Sequence, residues 1–305
     1  MKYWQIIAQS YVGYLNYLIR ELREPRLQSY FWYLLLISVL VYICELIHPW
    51  RVHQARIRRD FWLDGFYMFF NFFLFSLLGF AALSNVASEL WLDAWRGLGA
   101  RPFVLLNLSG WPTLVQLVFY FFLKDFVQWN IHRLLHKVPW LWRFHQVHHS
   151  VREMGFSAHL RYHFGETIIY KLIQFIPLSL LGISVVDFFV LDAIAIAIGH
   201  LNHSNLYLTW GPLRWLLNSP AMHIWHHAKN LPPERLAQAG GVNFGLSLSL
   251  WDYLFGTAYL PSDGRDLRLG FPGDEAFPAG FFAQLWPPPP ATGEADGTIK
   301  QHNQR

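Results

Sequence analysis

The sequence predicts an all-α integral membrane protein with about four transmembrane helices and a cytosolic helical cap that carries a His-rich dimetal site. Three observations lead there. Apolar residues make up 53% of the 305 positions and aromatic residues 18%, against 14% charged, so there are too few polar groups to cover a water-soluble globule. Several apolar runs are long enough to cross the hydrocarbon of a bilayer. Twelve of the fifteen histidines fall between His132 and His227, most of them three or four residues from another. The lone cysteine, Cys44, excludes a disulfide framework and any cysteine-held iron–sulfur centre. The net charge of +4 is modest, and the basic residues gather beside apolar runs. That pattern fits anionic lipid headgroups and argues against nucleic acid.

Residues 1–29 read as an interfacial N-terminal segment, because Gln5, Gln9 and Asn16 interrupt its apolar run and no small-residue cleavage site follows. Residues 30–123 hold the N-terminal transmembrane helices: Tyr30 to Ile47, Phe66 to Leu83, and Thr113 to Leu123 extended through the turn that follows. The loop from Arg51 to Asp64 has four arginines against Asp60 and Asp64, whereas the loop from Ser84 to Pro102 balances two arginines with Glu89 and Asp93. The first loop is therefore expected in the cytosol. This orientation exports Lys2, Arg20, Arg23 and Arg26 unless the N-terminal segment lies flat or re-enters. Residues 124–260 form the histidine-motif domain and include an apolar hairpin over 168–199 that bends near Gly182 to Ser184. Residues 261–305 are expected as a partly disordered tail, marked by the run Pro287 to Pro290.

The histidines follow helical spacing. His132 and His136 stand four apart and point to one side of a helix that Pro139 then stops. His145, His148 and His149 repeat the logic, and the same triple recurs as His223, His226 and His227 after Ser219 and Pro220, a natural N-cap and first turn. His200 and His203 return to the same side at the end of the hairpin. A helix from Pro112 to His136 is about 37 Å long, so a core of about 30 Å ends near His132, and the cluster is expected at the membrane surface. Ten converging rings suit two ions, with Fe, Zn, Cu and Ni all open on donor type alone. An isolated pair would be an ordinary helix-surface feature; two triples and two pairs together point to metal. His48, His53 and His302 are given structural or solvent roles, and His163 a supporting role beside the site, with less weight on His159.

These motifs resemble the fatty acid hydroxylase superfamily, also called the sterol desaturase family, whose signature joins one HxxxH element to two HxxHH elements. The matching text is DFVQWNIHRLLH from Asp125, LWRFHQVHHS from Leu141 and HIWHH from His223, with LRYHFGE, HSNL, NFG and WDYLFGT between and after them. The likeness covers about Phe121 to Tyr259. It implies metal ligation, and with it catalysis, by His132, His136, His145, His148, His149, His203, His223, His226 and His227. His200 is added as a tenth ligand on geometry. Asp125, Asn243 and Asp252 look like groups that orient the ligating rings.

The resemblance implies two Fe ions, for which Zn can substitute in purified protein, and O₂ as co-substrate in the hydroxylation or desaturation of a lipid, with hydroxylation favoured. The lipid is left open between a fatty acyl chain, a sterol and an ether lipid. No haem domain or dinucleotide fingerprint is evident, so an external electron donor is expected, of cytochrome b5-like, ferredoxin-like or reductase type. Two rivals remain at this stage. A membrane zinc hydrolase should show an HExxH element, which is absent, and a metal transporter should place ionisable ligands inside the membrane, where only Asp187 and Asp192 lie deep.

Overall fold

This computed structural model describes residues 1–26, 29–99, 108, 110–179, 181 and 185–286, and among the described residues there are twelve α-helices. Among the described residues there is no strand, only two isolated β-bridges, Leu217 with Leu248 and Ala228 with Leu269. Helix α1 (Lys2–Arg23) is followed by α2 (Tyr30–Ile47), which is apolar on every side as a lipid-embedded helix must be. Two helices combine the length and apolarity needed to cross a membrane: α2, and a longer rod from Phe61 to Gly97. Leu36, Leu40, Ile43 and Ile47 of α2 face outward, a continuous apolar band that water would not tolerate. These two helices suggest a membrane protein.

The rod begins as α3 (Phe61–Phe69), passes through two π-helical turns (Phe70–Leu74 and Ser76–Phe80) and continues as α4 (Ala81–Gly97). At Gly79 the φ of 156° leaves helical values and breaks the ladder. The stretch 84–97, expected as loop, is helical. Asn85, Glu89 and Asp93 fall four apart on one face of α4 and meet α1, where Asn85 donates to Ser10 and Lys2 pairs with Glu89 and Asp93, each at 2.7 Å. Helix α1 thus lies antiparallel along α4, with Tyr14 donating to the Phe72 carbonyl further down the rod.

Helix α5 (Thr113–Lys137) has 25 residues and runs without interruption from its apolar half into His132 and His136. Val138 then leaves the helical region, and Pro139 occupies the first turn of α6 (Pro139–His149), where its missing N–H costs nothing. Helices α7 (Phe164–Ser179) and α8 (Val185–Asn202) both pack on α5; the proposed bend at Gly182 to Ser184 lies outside the described residues. Inside this group Lys124 of α5 pairs with Asp192 of α8 at 2.7 Å, and Tyr30 of α2 donates to the same carboxylate. Short helices α9 (Pro220–His226), α10 (Pro233–Ala239) and α11 (Leu250–Leu254) close over the end of α5.

The segment from 261 to 286, expected within a partly disordered tail, is packed. Leu269 and Phe271 are buried, and α12 (Phe281–Gln284) sets the Phe281 ring against Phe66, Tyr67 and Phe70 at centroid distances of 4.7–4.9 Å. Scattered apolar residues in a polar context hide this docking from a reading of composition. The proline run and all that follows it lie outside the described residues.

Candidate metal centre

Four elements deliver the rings to one place. The i, i+4 spacing on α5 brings His132 and His136 to one face, their ring centroids 5.3 Å apart. Helix α6 presents His145, His148 and His149. The start of α9 is fixed by Ser219, whose Oγ accepts from the Met222 N–H at 3.2 Å, and the helix and its C-cap then carry His223, His226 and His227. His203 comes from the end of α8. The nine rings sort into two adjoining groups: His132, His136, His145, His149 and His226 in one, His148, His203, His223 and His227 in the other, with ligand atoms in each group no more than 4.8 Å apart. Each triple is thus divided. The first sends its i, i+4 pair to the five-ring group and its middle residue to the four-ring group; the second does the reverse.

The tautomers decide what the groups can hold. His148 Nδ1–H donates to the Arg161 carbonyl at 3.1 Å, and His203 Nδ1–H donates to the Gly199 carbonyl at 2.8 Å. A carbonyl only accepts, so both protons sit on Nδ1 and both Nε2 atoms carry bare lone pairs. Yet those two Nε2 atoms face each other at 3.2 Å. No hydrogen bond can join them, and a cation between them resolves the repulsion. In the other group His132 Nε2 lies 3.0 Å from His145 Nε2, with Nδ1–H of His132 donating to the Phe244 carbonyl and Nδ1 of His145 hydrogen-bonded to the Glu166 carboxyl group at 3.1 Å. The Nε2 contacts His149–His226 and His203–His223 are also 3.0 Å. The buried Nε2 of His136 has no partner at all, as expected of a donor atom reserved for a metal. The residues fit a pair of metal ions.

Electrostatics agree. Burial first, then neighbouring rings, push His145, His148, His149, His223, His226 and His227 well below the usual imidazole value of 6.5, which keeps them neutral and able to ligate. Nine neutral rings leave the ionic charge uncompensated, and Glu166, hydrogen-bonded to His145, is an acidic group beside them.

The residues expected to support the site do so at one remove. Asp252 accepts from the Phe244 and Gly245 N–H groups, Trp129 Nε1 and Thr257 Oγ1, and so fixes the turn whose Phe244 carbonyl holds His132. Asn243, at φ 53°, donates to the Met222 and Tyr259 carbonyls beside Val242, whose own carbonyl accepts from His226 Nδ1–H. Asp125 accepts from the Ser247 and Leu248 N–H groups and Trp251 Nε1. None of the three touches a ligating ring through its side chain. His163 bonds to the Leu285 carbonyl and the Gly165 N–H, stacks on Phe144, and stands apart from both groups. His200 differs most from expectation: it lies outside both groups, its Nε2 3.1 Å from Ser38 Oγ and its Nδ1 2.9 Å from His159 Nδ1. His200 lies in the last turn of α8 and His203 just after its end; the His200 ring is turned towards α2, so the groups number nine rings and not ten. Glu166 was missed, although it ends the text LRYHFGE; the carbonyl acceptors carry no side-chain signal to find.

A family model for the fatty acid hydroxylase domain matches residues 117–257. The chain is 36% identical to ornithine lipid hydroxylase OlsE of Rhizobium tropici over 178 residues, 58% of this chain and 51% of that protein. It is 30% identical to alkylglycerol monooxygenase of Xenopus tropicalis over 138 residues, 44% and 28% of the two chains. With fatty acid hydroxylase vlmA of Lecanicillium sp it shares 29% over 170 residues, 50% and 44%. The chain spans about half the length of the first of these relatives and less of the others. No solved structure matches. The two ring groups lie wholly within the segment that matches the fatty acid hydroxylase domain, a likeness consistent with the fatty acid hydroxylase/sterol desaturase superfamily.

Proposed function

We propose that the protein is a membrane-bound non-haem di-iron monooxygenase that hydroxylates a lipid, with O₂ as co-substrate and electrons from a separate donor. The facing bare nitrogens of His148 and His203, repeated around two adjoining groups, are the observation that carries this reading. Ligation falls to His132, His136, His145, His149 and His226 for one ion and to His148, His203, His223 and His227 for the other. Two irons so held would supply the reduction of O₂ coupled to oxidation of an unactivated C–H bond. The chain's own part is to hold the rings neutral and oriented, to bury them from water, and to bring a lipid to them from the membrane.

The relatives' names speak of hydroxylation and monooxygenation of lipids, which favours hydroxylation over desaturation. Of the two carboxylates that a transport reading would use, Asp187 and Asp192, the second is held by Lys124 and Tyr30. The proposed topology has about four crossings, formed by α2, the α3–α4 rod, α5, and the hairpin of α7 and α8, with the metal centre facing the cytosol. Arg133, Lys137, Arg143 and Arg152 give that side a basic surface for an acidic electron donor of cytochrome b5, ferredoxin or reductase type.

The test is elemental analysis of detergent-purified protein from iron-replete cells, with lipid profiling of cells that express the wild type or His226→Ala. Two irons per chain and a new hydroxylated lipid that the variant fails to make are expected. Zinc alone, with no lipid product after iron reconstitution, would overturn the proposal.

A further inference from the structure

Helix α12 and the start of the rod are built inside out for a surface that meets water. From Ala276 to Trp286 no residue is charged. The one amide side chain, Gln284, is 0% exposed: it accepts from Tyr67 Oη at 2.9 Å and donates to the Pro278 carbonyl at 2.6 Å. Its aromatic neighbours point the other way, with Phe282 78% and Trp286 84% exposed. Helix α3 repeats the pattern. Its single charge, Asp64, is buried against Arg58 and Arg161, while Trp62, Phe66 and Phe69, at i, i+4 and i+7, are exposed on the opposite side. In water both patterns would be reversed.

The two faces are joined. Phe281 packs on Phe66 at 4.8 Å and on Phe70 at 4.7 Å, and the Phe282 ring follows at 5.4 Å from Phe281. His163 Nε2 meets the Leu285 carbonyl at 2.9 Å and fixes the far end of α12. The exposed aromatics of α3 and α12 therefore form one surface.

What covers that surface follows from where it lies. The rod is one of the two helices long and apolar enough to cross a membrane, and Trp62 comes three residues after Arg59, at the end of a loop whose Arg56 and Arg59 side chains are exposed. Exposed arginines beside an apolar helix suit anionic headgroups, and tryptophan at that junction suits the membrane–water interface. Helix α12 touches the rod at Phe66, Tyr67 and Phe70, about 8–14 Å along the axis from Phe61 at the rise of an α-helix. That is close to the boundary between headgroups and acyl chains, into which an interfacial helix sinks its apolar face by about 5–10 Å.

We propose that α12 and α3 form an anchor in the membrane interface, with Trp62, Phe66, Phe69, Phe282 and Trp286 seated among the lipids of the leaflet that borders the basic loop. This rests on the membrane reading of the protein and adds to it a segment that crosses nothing. The occupant is bilayer lipid; a second copy of this chain is the rival that the experiment separates. One short stretch links the anchor to the metal centre: His163, bonded to Leu285, lies between Arg161, whose carbonyl receives His148 Nδ1–H, and Glu166, bonded to His145.

The experiment uses the full chain in phosphatidylcholine nanodiscs, with Cys44→Ser removing the exposed native thiol and a nitrobenzoxadiazole label on one introduced cysteine. Phe282→Cys and Trp286→Cys report the anchor, Leu36→Cys the outward band of α2, and His53→Cys the exposed basic loop. Iodide quenches from water, and lipids carrying a doxyl group near the headgroup or near the chain end quench from shallow or deep hydrocarbon. Both anchor labels are expected to be shielded from iodide relative to the loop label and to be quenched more by the shallow doxyl than by the deep one, the reverse of the α2 label. Iodide quenching of the anchor labels equal to that of the loop label overturns the anchor. Shielding from iodide with no quenching by either lipid, together with energy transfer between labelled chains in one nanodisc, assigns the patch to a second copy and also overturns it. If the α2 label is itself quenched as the loop label is, the membrane reading fails and the anchor falls with it.

Discussion

At the scale of single residues, the decisive feature is the fixing of protons on the outward ring nitrogens. Four of the acceptors are main-chain carbonyls, of Phe244, Val242, Arg161 and Gly199, and one is a side chain, Glu166. Glu166→Ala removes the acceptor behind His145. Through the lost hydrogen bond to His145 alone, it should lower metal affinity of the five-ring group about 10- to 100-fold, as losses of such outer partners do. Glu166→Gln keeps an acceptor and should lose less. Chelator competition monitored by metal release measures both. His200 and His203 give a sharper contrast, because they are three residues apart, in the last turn of α8 and just after it, but serve different neighbours. His200→Ala should retain two metals per chain while breaking the contacts to Ser38 and His159, whereas His203→Ala should retain one. Elemental analysis of the two variants separates a nine-ring centre from a ten-ring one.

At the scale of elements, each histidine-bearing helix is held at the end where its rings start or stop. Pro139 and Pro220 open α6 and α9, and Ser219 caps the latter. The turn at 242–244, braced by Asn243 and Asp252, supplies carbonyls to helices on both sides. Farther out, α12 fastens the C-terminal segment to the α3–α4 rod, with Tyr67 donating to Gln284 and Phe281 seated among three rings. Phe281→Ala empties a buried ring site and should cost about 3–5 kcal/mol. A lowered thermal midpoint in detergent, with metal content intact at low temperature, is the expected result. An unchanged midpoint would mean that α12 does not dock in solution.

For the whole molecule, the clustering of neutral buried rings makes stability depend on pH. In the metal-free protein the ring values of α6 and α9 are depressed below 6.5, so the unfolded chain binds protons that the folded one refuses. Stability is therefore fully present above about 6.5 and is lost as pH falls below that value. Bound metal should oppose the loss, since it binds the folded rings and not the scattered ones. Unfolding midpoints from pH 8 to pH 5, with and without a chelator, test this. A chelated protein whose midpoint is flat across that range would contradict it.

The sequence by itself determined the all-helical class, the apolar helices long enough to cross a membrane, and the motifs whose histidines meet, though it expected ten rings where the structure gathers nine, because apolar run length and i, i+3 and i+4 spacing are local properties. It also placed Asp125, Asn243 and Asp252 near the site, though as partners of rings and not, as found, braces of the turns that partner them. What it left open depends on contacts between segments far apart in the chain. The pairing of α1 with α4 turned an expected loop into helix, since the Asn85, Glu89 and Asp93 stripe has no meaning until Lys2 and Ser10 lie opposite. The division of each HxxHH triple between two groups, the rotation of His200 towards Ser38, and the unpartnered Nη1 of Arg58 are likewise set by which surfaces meet. Only the tertiary structure fixes those, because helical spacing gives a residue a face and packing alone decides what that face touches.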